Sequence, residues 1–263
     1  MRIFLICFIT GIAGQLIDGT LGMAYGVTCS TLLRAMGIPS AVSSFCVHAA
    51  EMCTTLVSGI SHLKMNNIDR SLFLRLIFPG VIGGILGAYV LTSFDDRIVS
   101  PVVSAYLIVM GIVIFLKAFK KKAKEPKKIG KAVYPIALVG GFSDSIGGGG
   151  WGPVVTSTLV AADCDVRTTI GSVNSAEFFV TMAESAAFIL TLGSVAEYLP
   201  AVGGLILGGI IVAPFSAYLC KKVPVKPLIA VLGVLIVCVN AWKLVTGLMG
   251  YKLSRSGATT PAF

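Results

Sequence analysis

Two stretches of this 263-residue chain decide its fold. The first reads Gly14-Gln-Leu-Ile-Asp-Gly-Thr-Leu-Gly-Met-Ala-Tyr-Gly26, and the second reads Gly140-Gly-Phe-Ser-Asp-Ser-Ile-Gly-Gly-Gly-Gly-Trp-Gly152. A shift of 144 − 18 = 126 residues aligns the two aspartates together with the first and last glycine of each stretch. The same shift carries His48-Ala-Ala-Glu51 onto Asn174-Ser-Ala-Glu177. Because one shift aligns positions so far apart, the sequence predicts a duplicated protein whose repeated core is a glycine-rich break beside an acid.

The composition is that of a membrane protein. Hydrophobic residues make up 56% of the chain and charged residues only 13%, whereas a soluble domain carries about 25% charged residues. Several apolar runs approach the roughly 20 residues that a spanning helix needs, at 73–94, 98–119, 198–220 and 227–248. Many of the basic residues behind the net charge of +9 lie in short loops. Such residues orient a membrane protein, so nucleic acid is not an expected partner.

Glycine, proline and charge clusters divide each half into five helical pieces. The first two pieces are short, at 2–17 and 24–36 in the first half and at 132–143 and 152–162 in the second. We interpret each short pair as half-helices that meet at a break inside the bilayer. The predicted fold is all-α and integral to the membrane, with an inverted structural repeat in which each half is a broken or re-entrant helical hairpin plus three transmembrane helices. Five full spans per half is the alternative.

The predicted boundaries follow from the repeat and from charge. Residues 1–119 form the first repeat, 120–131 a basic linker, 132–250 the second repeat and 251–263 a C-terminal tail. With the linker in the cytoplasm, three spans per half obey the positive-inside rule, and both termini are then extracytoplasmic. The predicted cytoplasmic residues are Lys64, Arg70, Arg75, Arg167, Lys221, Lys222 and Lys226, and the predicted outer residues are Asp95, Asp96 and Glu197.

The two breaks predict an anion-binding site. A backbone N–H or C=O group left free in hydrocarbon costs several kcal/mol, so two equivalent breaks need partners. Helices that begin after a break direct their N–H groups and the positive end of their dipole towards an anion. The predicted substrate-binding residues are backbone glycines and hydroxyl donors: Thr20, Gly22, Gly26, Thr28, Ser145, Gly148, Gly149, Gly152 and Thr156. The alternative is that the glycines serve only close helix packing.

Four acids need separate interpretations. Asp18 and Asp144 lie beside the breaks and are predicted to be structural caps of the helices that follow. Glu51 and Glu177 lie deep inside apolar helices, where a charge costs at least ~2.5 kcal/mol. We predict that both glutamates couple transport to protons, because a carboxylate that stays charged repels an anion. A buried structural network is the alternative.

His48 lies one turn before Glu51 on the same helix face and is predicted to accept or relay the proton. Its counterpart in the repeat, Asn174, is neutral. Glu184 follows on a similar face of the second-half helix, aligns with Ser58, and is a secondary candidate.

An intramembrane enzyme is the hypothesis of a different class. It would use Asp18 and Asp144 as a proton-sharing dyad, or His48 and Glu51 as the reacting groups. The spacing His48-Ala-Ala-Glu51 is not the HExxH pattern of a zinc site, so no metal and no cofactor is expected. The glycine run lacks the GK[ST] of a phosphate loop, so transport is expected to be secondary.

These residues resemble a known family. The pattern Gly-x-x-x-Asp-Gly-x-x-Gly-x-x-x-Gly from Gly14, the stretch Gly-Gly-Phe-Ser-Asp-Ser-Ile-Gly-Gly-Gly-Gly-Trp-Gly-Pro from Gly140 and the duplicated layout resemble the TauE/SafE family of sulfite exporters. The resemblance implies a cell-membrane permease for sulfite, sulfoacetate or another sulfur-containing anion, coupled to the proton gradient. Its expected partners are a small anion, protons and the lipid bilayer, with a homo-oligomer left open. A non-sulfur anion is an alternative, since helix N-termini bind several kinds of anion.

Overall fold

The computed structural model describes residues 2–21, 24–117, 129–162, 164–219 and 225–255, and within these ranges every regular element is a helix. The first half contains α1 (Arg2–Leu21), α2 (Tyr25–Ala35), α3 (Ser40–Lys64), α4 (Arg70–Ser93) and α5 (Asp96–Lys117). The second half contains α6 (Val133–Gly147), a π-helical turn (Gly152–Thr156) that continues into α7 (Ser157–Ala161), α8 (Val166–Leu192), a 3-10 turn (Ala196–Tyr198) that leads into α9 (Leu199–Leu219), and α10 (Val225–Arg255). The all-α prediction is confirmed.

The helix boundaries repeat with the shift found in the sequence. Helices α3 and α8 begin 166 − 40 = 126 residues apart, and α1 and α6 end 147 − 21 = 126 residues apart. Helix α10 continues to Arg255, past the predicted end of the second repeat at 250. Most of the predicted linker lies outside the described residues, as do Lys221, Lys222 and the end of the predicted tail.

Several helices are suited to a bilayer. Among the described residues, the segments that are long and apolar enough to cross a membrane are Arg70–Ser93, Asp96–Leu116, Arg167–Leu192 and Ala196–Ala213. Large apolar side chains such as those of Phe78, Leu190 and Trp242 are exposed on the outer surface. Burying such side chains in lipid removes apolar area from water. The molecule is therefore built as a multi-pass membrane protein.

The long helices pair across the two halves. Helix α1 packs against α9, and α6, the repeat equivalent of α1, packs against α4. Helix α3 packs against its own equivalent, α8, and α5 packs against its own equivalent, α10. Glycines allow close backbone approach in the first two pairs. A Cβ atom at Gly208 would collide with the carbonyl oxygen of Phe8, and one at Gly83 would collide with that of Leu138. Each half therefore completes its packing with helices of the other half.

Two of these pairs join equivalent helices that run in opposite directions. Along α3 and α8, Gly59 lies beside Ser175 whereas the earlier residue His48 lies beside the later residue Glu184. In α5 and α10, Gly233 packs against Phe115. The contact of Val237 with Gly111 continues the same descending order.

The short helices form hairpins at the breaks. Helix α2 folds back along α1, so that Cys29 contacts the carbonyl oxygen of Thr10 and Tyr25 lies beside Gly14. In the second half, the π-helical turn folds back along α6 in the same way, with Val155 against Gly140.

The predicted ends of the first helix in each hairpin were too early. Helix α1 reaches Leu21 and α6 reaches Gly147, so Asp18 and Asp144 lie in the last helical turn and not in the break itself. In the second half the reason is that a left-handed glycine, and not the acid, ends the helix. In α6 this residue is Gly148, with φ of 64°.

Two arginines, Arg75 and Arg167, lie where the described end of the linker approaches the helices. Arg75 donates hydrogen bonds to the carbonyl oxygens of Ile129 and Gly130 at 3.2 and 3.3 Å, and Arg167 donates one to the side chain of Asn67. The end of the linker, the α3–α4 loop and the start of α8 therefore meet at one end of the molecule.

At the other end, Asp96 accepts a hydrogen bond from the backbone N–H of Ser40 at 2.8 Å. Nearby, Arg34 is buried at the end of α2 and donates hydrogen bonds to Ser104 at 3.0 Å and to Asn240 at 3.1 Å. The Arg34 guanidinium thereby ties the first hairpin to α5 and α10.

Candidate transport site

The two glycine breaks touch each other inside the protein. Gly26 packs directly on Gly149, and a Cβ atom on either residue would collide with the backbone of the other. Gly148 and Gly149 have φ angles of 64° and 143°, which favour glycine. Ser30 of α2 donates a hydrogen bond to the carbonyl oxygen of Gly147 at 2.7 Å. The first hairpin is thus docked onto the second break.

Asp144 and Asp18 make equivalent hydrogen bonds across their breaks. Asp144 Oδ1 accepts hydrogen bonds from the backbone N–H groups of Gly150 and Trp151, the latter at 2.9 Å. The Asp18 carboxylate accepts one from the backbone N–H of Tyr25, which the repeat aligns with Trp151. These are the bonds that a capping carboxylate makes, formed here by acids that reach forward from the preceding helix.

His48 lies in a buried polar cluster. Its Nδ1 is 2.7 Å from the carbonyl oxygen of Ser44, and since a carbonyl only accepts, this nitrogen carries a proton. The other ring nitrogen, Nε2, faces the acids. It lies 3.1 Å from Glu184 Oε2 and 3.6 Å from Asp144 Oδ2. Phe188 stacks on the imidazole ring with centroids 6.0 Å apart.

Several buried oxygen atoms near this cluster have no hydrogen-bond partner within the described part of the chain. They are Glu51 Oε2, Asp144 Oδ2 and both carboxylate oxygens of Glu184. Within the described residues, the contacts with His48 and the Ser145 side chain beside Glu184 offset only part of the cost of removing these groups from water. Three buried acids packed this closely repel one another when charged, so protons, water or a ligand must complete the cluster.

One atom each of His48, Glu51 and Asp144 lies within 4.8 Å of the other two, a set of donors that resembles a cation site. The expectation of no metal rested on motifs in the sequence, and Asp144 joins His48 and Glu51 only in the folded chain. However, His48 Nε2 is already at hydrogen-bonding distance from Glu184. We therefore interpret the cluster as groups that share protons.

The predicted hydroxyl donors differ in their availability. Thr28 and Ser145 each donate to a backbone carbonyl oxygen at 2.6 Å, so both hydroxyl protons are used within the protein. Thr156, by contrast, is fully buried, and its hydroxyl group has no hydrogen-bond partner among the described residues. The side chain of Thr20 and the whole of Gly22 lie outside the described residues.

Glu51 and Glu177 have different surroundings although the repeat equates them. Glu51 is 4% exposed and its Oε1 lies against Gly26, whereas Glu177 is half-buried. The acid that contacts His48 is Glu184, which the sequence placed second because its repeat counterpart is a serine. Ser44 was missed, although it lies one turn before His48 on the polar face of α3.

A multi-pass helical protein with polar groups buried between two broken hairpins has the architecture of the membrane transporters. The chain belongs to the TauE/SafE family: residues 7–242 match the family model described as sulfite exporter TauE/SafE. It is 38% identical over 252 residues to the probable membrane transporter protein YtnM of Bacillus subtilis (strain 168), covering 93% of this chain and 84% of that protein. The predicted family is confirmed, and both descriptions indicate a membrane transporter rather than an enzyme.

Proposed function

We propose that this protein is a proton-coupled secondary transporter of a small sulfur-containing anion, sulfite or a sulfonate such as sulfoacetate, in the cell membrane. The observation that carries the proposal is the contact between the breaks at Gly26 and Gly149 beside the buried His48 cluster. Backbone N–H groups and buried acid–base groups thereby share one site. The family description supplies the kind of anion, whereas the name of the Bacillus relative specifies only transport.

In this proposal the two halves form an inverted repeat. The opposite directions of α3 and α8, and of α5 and α10, support this arrangement, as does the exchange of helix partners between halves. Each hairpin enters the bilayer and returns to the side it came from, and the break at its tip is shielded by protein. The repeats are 1–119 and 132–250.

The anion is proposed to bind between the two breaks, close to Gly26, Gly149, Gly152 and Thr156. The buried Thr156 hydroxyl group, which no described residue satisfies, supports this location. Contact between Gly26 and Gly149 closes the space in this conformation, so the anion enters when the hairpins move apart. Movement of one repeat against the other around a central site is how such transporters work.

Protons are proposed to be carried by His48, Glu51 and Glu177. The burial of Glu51 and the contacts of His48 support this role, because a charged carboxylate at the site would repel the anion. Orientation follows the basic end of the molecule: the linker, Arg75 and Arg167 face the cytoplasm, and both termini lie outside.

The transport proposal is tested with purified protein in proteoliposomes loaded with labelled sulfite or sulfoacetate, at two pH values. We expect flux of the unchanged anion that increases with an imposed proton gradient. The variants Glu51→Gln and Glu177→Gln are expected to fold normally and to remove the pH dependence of the flux.

The result that contradicts proton coupling is a pH dependence that is unchanged in both glutamine variants. A preference for phosphate or a carboxylate over every sulfur anion would overturn the substrate class and leave transport in place. Chemical turnover of the substrate, lost in the double variant Asp18→Asn, Asp144→Asn, would instead establish the intramembrane enzyme.

A further inference from the structure

Asp144 contacts both the second glycine break and the His48 cluster. Its Oδ1 accepts hydrogen bonds from the N–H groups of Gly150 and Trp151 in the second break. Its Oδ2 lies 3.6 Å from His48 Nε2 on the side of Glu184, and within the described part of the chain no hydrogen bond satisfies it. The residue is 1% exposed. One carboxylate therefore connects the backbone of the proposed anion site with the proton-sharing cluster.

We propose that Asp144 is a tethered carboxylate that competes with the transported anion for the N–H groups of the second break, and that protonation of the His48–Glu184 pair releases it. The inference rests on the proposed function, since it assigns a regulation to the same site. It gives Asp144 a role beyond that of a cap, and gives Glu184 a role that the repeat alone does not suggest.

The competition follows from the chemistry of the break. A carboxylate that accepts two backbone hydrogen bonds is itself a bound anion. The N–H groups of Gly150 and Trp151 are among those that the break would offer to a substrate, and Asp144 occupies both. A sulfonate or sulfite can use these donors only after Asp144 has withdrawn. Asp144 therefore lowers the affinity for the anion for as long as it has no better partner.

Proton uptake by the His48–Glu184 pair provides Asp144 with such a partner. His48 Nδ1 already carries a proton for Ser44, and the 3.1 Å separation between Nε2 and Glu184 accommodates one shared proton. A further proton from solution leaves Glu184 neutral and leaves a positive imidazolium whose Nε2–H is directed at Asp144 Oδ2. The carboxylate then moves the short distance from the backbone to the imidazolium. One proton is taken up, no other reactant is needed, and the two N–H groups become free for the anion.

The described residues around the pair place no competing cation beside it. Helix α4 contributes Gly84, which lies directly against Glu184 and has no charge. Among the described residues, the other titratable groups that interact electrostatically with the acids of the cluster are Glu51 on α3, Glu177 on α8, Asp18 on α1, Tyr25 and Cys29 on α2, and Tyr106 on α5. These groups are neutral or negative and none is a cation, so none of them repels a positive charge on His48.

The first half provides a matched control within the same chain. Asp18 makes the equivalent hydrogen bond to the backbone of Tyr25. The repeat equivalent of His48, however, is Asn174, which does not take up a proton in the physiological range. The proposed switch therefore exists at one break only.

The test is equilibrium binding of labelled sulfoacetate to the full-length protein in nanodiscs, at pH 6 and pH 8. A sulfonate keeps its charge over this range, so the pH dependence reports on the protein. With one proton linked to one anion, wild-type affinity is expected to fall by up to about tenfold per pH unit on going to pH 8. Asp144→Asn retains an oxygen that can accept from the N–H groups but removes the charge. This variant is expected to bind sulfoacetate at pH 8 about as tightly as the wild type does at pH 6.

Two further variants complete the experiment. Asp18→Asn is expected to keep the wild-type ratio of affinities between the two pH values. Glu184→Gln removes the acceptor of the second proton and is expected to bring the ratio of affinities at the two pH values close to one. This variant also tests the inference if Asp144→Asn does not fold. A wild-type ratio in Asp144→Asn or in Glu184→Gln, or wild-type binding that does not depend on pH, would overturn the inference. Wild-type protein that binds no sulfoacetate at either pH would overturn the proposed substrate class first.

Discussion

Ala24 has a left-handed backbone with φ of 96° at the start of α2, although it is not a glycine. Such a conformation costs an L-residue roughly 1 kcal/mol or more. The repeat equivalent of Ala24 is Gly150, so the second break uses glycine where the first retains a methyl group. The weaker glycine run of the first motif therefore has a local energetic consequence.

We expect Ala24→Gly to stabilise the protein by up to about 1 kcal/mol through relief of this strain. The measurement is the thermal unfolding midpoint in detergent. Ala50→Gly is the control, because Ala50 lies in the interior of α3, where glycine costs about 0.5–1 kcal/mol. Equal destabilisation by both changes would show that the Ala24 backbone is not strained.

At the scale of elements, Asp165 starts the helix that carries Glu177 and Glu184. Its Oδ1 accepts hydrogen bonds from the Thr168 backbone N–H at 2.9 Å and from the Thr168 hydroxyl at 2.8 Å. Chiefly because of the first of these bonds, the pKa of the Asp165 carboxyl is lowered from its ordinary value of 3.8. A lowered folded-state pKa means that the charged cap stabilises α8 above the pKa of the unfolded chain, and that this stability is lost as pH falls through the folded value.

Asp165→Ala is accordingly expected to lower stability at pH 7 by about 0.5–2 kcal/mol, the usual cost of losing a cap. The difference from wild type is expected to shrink below about pH 4, where the wild-type carboxyl also takes up its proton. Unfolding midpoints of both proteins across this range check the sign. A difference that grows with acidity is the contrary result.

At the scale of the whole molecule, the cross-half pairing makes the two repeats depend on each other. Helix α1 needs α9, and α6 needs α4, so neither repeat has its full set of partners alone. We expect the fragments 1–124 and 125–263, cut within the linker, to be degraded when expressed singly and to copurify as an active transporter when expressed together. Affinity capture through a tag on one fragment, followed by flux in proteoliposomes, is the measurement. A stable fragment that transports by itself would contradict the shared packing.

Much of this architecture could be read from the sequence. The shift of 126 residues located both breaks and the equivalent helices, because glycine, proline and charge mark helix ends whatever the tertiary packing. The glycine-rich motifs at the breaks indicated the family. The same local reasoning set the ends of α1 and α6 too early, since Asp18 and Asp144 act across space on N–H groups that follow the break.

The composition of the buried cluster was harder to predict. The repeat emphasises residues that recur, and Glu184 aligns with Ser58, yet Glu184 is the acid beside His48. Arg34 gave no signal either, because a charge near a helix end is normally assigned to a solvent-exposed loop. Only the packing of α2 against α5 and α10 surrounds it with acceptors.

The pairing of helices between halves also governs how the protein is made. Synthesis runs from the N-terminus, so α1 and the polar face of α3 enter the membrane before α8 and α9 have been translated. During that interval the buried histidine and glutamate of α3, and the glycine-lined face of α4, have only lipid, water or the insertion machinery as neighbours. We therefore expect biogenesis to pass through an intermediate in which only the first half is in the membrane. The time needed to translate the second half then sets how long the unpaired helices are exposed to membrane proteases.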